Sequence, residues 1–202
     1  VGRADTGTGT LFCLVIDELT GEPALLSNWH VLMGPTGRSG DPIIQPGNSD
    51  GGRMWFDRIA TVERSILSAA GDASIASLTG ARRWLPVLAT EHVELDETTE
   101  VALGEVLRKH GRTTDTTEGV VDGIGSYRVA YNVTPTRQEN RWIDGFKLVP
   151  KNPANPADLE ISMAGDSGSC WYNPRKKSAV GLHFAGEGDP LPGSEFALAC
   201  HM

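Results

Sequence analysis

The sequence predicts an all-β protein whose short strands close into barrels. Apolar runs of strand length follow one another at close spacing along the chain. Glycine and proline, 24 and 12 of 202 residues, gather between those runs and mark turns. Many short strands joined by Gly/Pro turns are the pattern of barrels rather than of helical or mixed folds.

The elements read in order as follows. Gly9 to Ile16 is an apolar run, and the polar turn Asp17 to Glu22 leads into Pro23 to Leu32, which makes the pair a hairpin. Residues 34–52 are rich in Gly, Pro, Asp and Ser and read as a long loop ending in the tight turn Asn48 to Gly52. Gly52 to Glu63 and Ala73 to Leu78 complete a first lobe of residues 1–80. Residues 81–100 read as a linker, with one helical turn expected at Ala81 to Trp84. A second lobe, 101–202, opens with Val106 to Thr114 and Thr117 to Ile124 joined by a Thr-rich turn. Tyr127 to Val133 and Arg141 to Val149 are further strands. Cys170 to Tyr172 and Ala179 to Ala185 form a hairpin around Asn173 to Lys177.

Composition narrows the function classes. A net charge of −8 argues against nucleic-acid binding, and the one basic cluster, Arg175-Lys176-Lys177, reads as a solvated hairpin turn. No apolar run approaches the length needed to cross a bilayer, so no membrane partner is expected. Cys13, Cys170 and Cys200 have no metal-ligand spacing, and no phosphate-binding glycine loop is present; no metal or cofactor is expected. The low, odd cysteine count leans towards a reducing compartment, with a cytoplasmic location slightly favoured.

Three segments carry chemistry. Gly165-Asp166-Ser167-Gly168-Ser169 sets a serine in a glycine-flanked turn, where the hydroxyl stands clear and backbone N–H groups can face an oxyanion. Leu26 to Leu32 places His30 at the end of a strand-like run, and its near-neutral pKa suits a general base. Gly71 to Leu78 places Asp72 at the head of an alternating small and apolar run. Asp50 and Asp57 also lie between His30 and Ser167; Asp50 is accounted for by its turn, and Asp57 lacks that following pattern.

The order His30, Asp72, Ser167, with these flanking residues, resembles the trypsin/chymotrypsin-like serine peptidases. The resemblance implies two six-stranded antiparallel barrels with the active site in the cleft between them. It implies an endopeptidase that acts on protein or peptide substrates through an acyl-enzyme. Ser167 would be the nucleophile, His30 the base, Asp72 its orienter, and the N–H groups of Gly165 and Ser167 the oxyanion hole. Val31 stands where secreted animal relatives carry a cysteine, so their disulfide is missing. Asp166 would pair with a new N-terminal amine in animal enzymes; here local hydrogen bonds are the expected partners.

By the same resemblance, the strand Val180 to Gly186 lines the primary specificity pocket, with Ile161 at its floor. His183, Phe184, Ala185 and Gly186 would meet substrate, the last three by backbone pairing. Bacterial glutamyl endopeptidases have a similar Gly-apolar-His-aromatic string, which implies a preference for Glu or Asp before the cut bond. A packed pocket-wall histidine is the competing reading. Gln45 to Gly52, Gly111 to Thr114 and Gly181 to Gly186 together look like bacterial trypsin-like domains related to the plant Narrow Leaf protein, an intracellular subgroup. Two other functions fit less well. One is a silent peptide-binding module on the same fold; the other is an esterase of unrelated architecture, whose Gly-x-Ser-x-Gly motif precedes its other catalytic residues.

Overall fold

The computed structural model describes every residue except 86, 89–91, 96, 156–157 and 188–194. The first sheet contains β1 (Gly2–Arg3), β2 (Cys13–Ile16), β3 (Pro23–Ser27), β4 (Pro42–Ile44), β5 (Arg58–Ser68) and β6 (Gly71–Leu78), in spatial order β1-β4-β5-β6-β3-β2. Its two edges meet where Val1 and Gly9 exchange backbone hydrogen bonds of 2.7 and 2.8 Å.

The second sheet contains β7 (Glu97–Thr98), β8 (Val106–Gly111), β9 (Asp115–Thr134), β10 (Arg137–Pro150), β11 (Cys170–Asn173), β12 (Ser178–Gly186) and β13 (Ala197–His201). Six of these close a ring, β8-β9-β10-β13-β12-β11, because β11 pairs with both β12 and β8. β7 adds in parallel to the start of β12, so part of the expected linker belongs to the second sheet. Positions 86, 89–91 and 96 of that linker lie outside the described residues.

Each barrel has its own core, with Leu25, Leu32, Ile43 and Val62 in the first and Leu107, Phe146, Leu148 and Trp171 in the second. A third cluster joins them. Phe12 and Leu26 come from the first barrel, Tyr172, Leu182 and Phe184 from the second. Burying such side chains is worth about 1.5–3 kcal/mol each, which makes the inter-barrel cluster a principal tie between the lobes.

Three expectations needed correction. The strand leading to His30 ends at Ser27, and Trp29–Leu32 form one helical turn, α1, whose Val31 and Leu32 are buried against the first barrel. The helical turn expected at Ala81 to Trp84 is absent. The Arg82 guanidinium is drawn sideways to the Gln45 carbonyl and the Asp57 carboxylate instead. The strand expected at Tyr127 to Val133 is the far end of β9, continuous with the strand before it.

β9 and β10 outrun the barrel. β9 pairs with β8 only through Val120, and β10 pairs with β13 only from Gly145 onward. Beyond those points the two form a ribbon of their own. Its Tyr127, Val129, Tyr131 and Val133 alternate inward and pack on the inter-barrel cluster. An isolated two-stranded ribbon is marginal in water, so this apolar face holds it in place.

The ribbon leaves the barrel at the pair Gly125–Gly145. A Cβ on Gly145 would lie 2.0 Å from the Ala199 carbonyl oxygen, a backbone atom that cannot swing away, whereas one on Gly125 meets nothing within 4 Å. Gly145→Ala is therefore expected to lower unfolding stability by about 1–3 kcal/mol or more, by overpacking against backbone. Gly125→Ala should change it far less, and urea denaturation of the two variants checks the contrast.

Candidate active site

α1 and the head of β6 bring His30 and Asp72 together. Asn28 anchors the approach, its side-chain amide donating to the Asp72 backbone carbonyl at 2.8 Å. The Asp72 side chain is wholly buried and the His30 side chain is 30% exposed, so the histidine reaches solvent and the aspartate does not. The His30 backbone N–H donates to Asp72 Oδ1 at 3.2 Å, and the ring Nδ1 lies 2.5 Å from Oδ2. A carboxylate only accepts, so Nδ1 carries the proton and Nε2 is left as the free base. Burial alone would lower the His30 pKa; the adjacent Asp72 charge outweighs it and holds the imidazole above its ordinary value.

The Ser167 turn is stitched to the first barrel. Thr10 donates its backbone N–H to the Ser167 carbonyl at 2.7 Å and its hydroxyl to the Gly165 carbonyl at 2.9 Å. Ser27, three residues before His30, donates to the Thr10 carbonyl at 2.7 Å. Gly165 and Gly168 have φ of +104° and +93°, and a Cβ on Gly168 would lie 2.2 Å from both Ser27 Oγ and Thr10 O. Only glycine fits there. The backbone N–H groups of Gly165 and Ser167 have no partner among the described residues. No hydrogen bond joins the Ser167 hydroxyl to the His30 ring.

Asp166 is buried and fully occupied. Lys109 Nζ lies 3.1 Å from Oδ2, and both side chains are shut off from solvent. Thr114 Oγ1 and the Met163 N–H donate to Oδ2, and the N–H groups of Thr113 and Thr114 to Oδ1. Burial pushes the Asp166 carboxyl up, but the Lys109 charge and these donors outweigh it and keep it below the usual range. Burial likewise lowers Lys109, against the pull of Asp166. The Val1 nitrogen plays no part here, since it donates to Gly9.

The expected pocket residues sit on β12 and the segment before the Ser167 turn. His183 is buried, and the Trp171 indole N–H points at its Nδ1 from 3.4 Å. Burial first, and the Lys109 charge second, lower its pKa to about 3, so it is a neutral ring whose remaining nitrogen, Nε2, carries the proton. Phe184 is buried in the inter-barrel cluster. On the side of β12 facing the Ser167 turn, strand pairing ends at Leu182, and one further exchange links His183 with Gly168 and Ser169. Ala185 and Gly186 follow, half-buried and exposed respectively, at an open edge. Ile161 is buried, and its backbone N–H and that of Ser162 donate to Glu195 Oε1 at 3.3 and 3.2 Å. Burial, and then the charge of Glu160, raise the Glu195 pKa to about 7.

Lys109, Tyr131 and Glu195 were not singled out in the sequence. Tyr131 donates its hydroxyl to Asp72 Oδ2 at 2.9 Å. The signal for Lys109 was there: in the alternating strand Val106 to Gly111 it shares the inward face with Leu107. Tyr131 likewise alternates with Val129 and Val133. Glu195 stands in no pattern that marks it.

No protein-family model and no curated protein sequence matches the chain. Solved structures do. A glutamic acid-specific serine protease that uses a histidine triad in substrate binding superposes with TM-score 0.67 at 14% identity, covering 98% of this chain and 89% of the other. Protease A of Thermobifida fusca gives 0.63 at 16% identity over 96% and 84%, and the chymotrypsin of Cellulomonas bogoriensis 0.60 at 14% over 96% and 89%. The fold is that of the chymotrypsin-like serine proteases. Two β-barrels, as the sequence led one to expect, carry the candidate residues.

Lys109→Met would leave the Asp166 carboxylate buried without its counter-charge. The expected loss is about 3–5 kcal/mol, the usual cost of breaking a buried pair from one side. The double variant Lys109→Met/Asp166→Asn should recover part of it, as the urea midpoints of the two would show.

Proposed function

We propose that the chain is a serine endopeptidase with His30, Asp72 and Ser167 as its catalytic triad. The observation that carries this reading is the buried Asp72 carboxylate on His30 Nδ1, which leaves Nε2 as the basic nitrogen of a side chain that is itself part-exposed. Ser167 Oγ attacks the scissile carbonyl carbon while His30 Nε2 takes its proton. The carbonyl oxygen becomes an oxyanion, for which the unpartnered N–H groups of Gly165 and Ser167 are the donors. His30 then passes the proton to the leaving amine, and an acyl-enzyme ester remains. Water, deprotonated by His30, releases the acid and restores Ser167. The open edge of β12 at Phe184, Ala185 and Gly186 suits an extended substrate strand.

The missing Ser167–His30 hydrogen bond favours one second reading, a silent peptide-binding module. Such bonds are often long in free enzymes and tighten with substrate. Hydrolysis of unfolded protein by the wild type, lost in Ser167→Ala, supports the enzyme. A folded wild type that cuts nothing while binding peptide supports the module. For the enzyme, kcat/KM should rise with pH through one ionisation above the ordinary imidazole value of about 6.5, because Asp72 raises His30. Asp72→Asn should cost about four orders of magnitude in kcat.

His183 supports acidic residues before the cut bond, as a single neutral donor. Glu195 sets the condition. It accepts from the N–H groups of Ile161 and Ser162 at the expected pocket floor, and with its carboxyl raised to about 7 it gains charge above that pH, where an acidic side chain is less favoured. The ratio of kcat/KM for Glu to that for Gln at that position cancels the titration of His30. Between pH 6 and 8 this ratio should fall about tenfold, as a nearby charge in a shielded site demands. Glu195→Gln should flatten the dependence, and His183→Ala should abolish the acidic preference itself.

A further inference from the structure

We propose that the β9–β10 ribbon belongs to the catalytic machinery, with Tyr131 as a positioning residue that fixes Asp72 and, through it, His30. The inference rests on the serine-peptidase reading of the same site. Tyr131 Oη donates at 2.9 Å to Asp72 Oδ2, the oxygen that also meets His30 Nδ1. Apart from His30 itself, Tyr131 is the only side-chain donor to that carboxylate among the described residues. Its ring centroid lies 6.1 Å from that of His30 and 6.3 Å, edge-on, from that of Trp29. The tyrosine thus braces both the carboxylate and the turn that carries the base.

The brace comes from the other barrel. Asp72 and His30 belong to the first lobe, and Tyr131 reaches them because the ribbon continues past the strands that close the second. The inward alternation of Tyr127, Val129, Tyr131 and Val133 sets the depth at which the hydroxyl arrives.

Two effects follow for the base. The hydroxyl stops the carboxylate from rotating away from Nδ1. It also takes up part of the carboxylate charge, so Asp72 does not hold imidazolium too tightly to release the proton. The other titratable groups facing the pair are His183 from β12 and the Cys200 thiol from β13. His183 is held neutral. Burial raises Cys200 to about 11, and burial with the Asp72 charge holds Tyr131 far above its ordinary range, so His30 is the group that titrates near neutrality.

Tyr131→Phe keeps the ring and removes the hydroxyl. With 15N-labelled histidine, the His30 midpoint followed by NMR should rise by about half a pH unit or more, since one hydrogen bond to a charged group has gone. The acid limb of kcat/KM should move with it, and kcat should fall about tenfold with KM little changed. Val129→Ala, which removes packing from the same ribbon face, should lower stability without moving the His30 midpoint. An unmoved midpoint and unchanged kcat in folded Tyr131→Phe would overturn the proposal. Should that variant fail to fold, the wild type decides. A Tyr131 hydroxyl proton that exchanges slowly and shows a cross-peak to His30 Nδ1–H upholds the link, and free exchange with water refutes it. The titration needs no turnover. A shifted midpoint in a protein that hydrolyses nothing would uphold the positioning link and reject the peptidase reading instead.

Discussion

A carboxylate shut away from water must find donors, and Asp72 finds them on both sides of the barrel interface. His30 supplies two from the first barrel, and Tyr131 supplies one from the second. An unpaired buried charge costs several kcal/mol, so any rearrangement that parts the barrels must first give up the Tyr131 bond to Asp72. The requirement that hides Asp72 from solvent also fixes the tautomer of His30. Stability and the orientation of the His30 ring rest on the same set of contacts.

Asp166 is a second buried carboxylate with the same need for donors. It sits beside Ser167, and its five donors all come from the second lobe: Lys109, Thr114 twice, Thr113 and Met163. They pin the middle of a turn that two left-handed glycines allow to bend. Thr10 then ties that turn to Ser27 and hence to the strand leading to His30. One buried carboxylate holds the His30 ring, the other shapes the turn that carries Ser167, and Thr10 ties that turn to the strand leading to His30.

How much of this was legible depended on whether the signal was local. The alternation of apolar residues and the Gly/Pro turns carried the β architecture. His30, Asp72 and Ser167 stood out because each sits in a short string of unusual composition. The helical turn at Trp29 to Leu32 did not stand out, because apolar residues flank His30 on both sides and read equally as strand. The ribbon was read as a separate strand because nothing in the sequence shows where the pairing with β8 ends and the strand runs on. Lys109 and Tyr131 could have been found by carrying the two-residue period through to polar side chains, since an inward polar group on a barrel strand must have a buried partner. Glu195 could not, because it meets Ile161 and Ser162 only after the chain has folded across more than thirty positions.

The central claim is that Ser167 is a nucleophile made reactive by His30 and Asp72. A fluorophosphonate probe followed by peptide mapping tests it most directly, because the probe needs no knowledge of the substrate. The prediction is one adduct, on Ser167, formed faster as pH rises through the His30 ionisation and absent from His30→Ala as well as Ser167→Ala. A folded protein that takes no label between pH 6 and 9, or that takes it on another serine, would contradict the account.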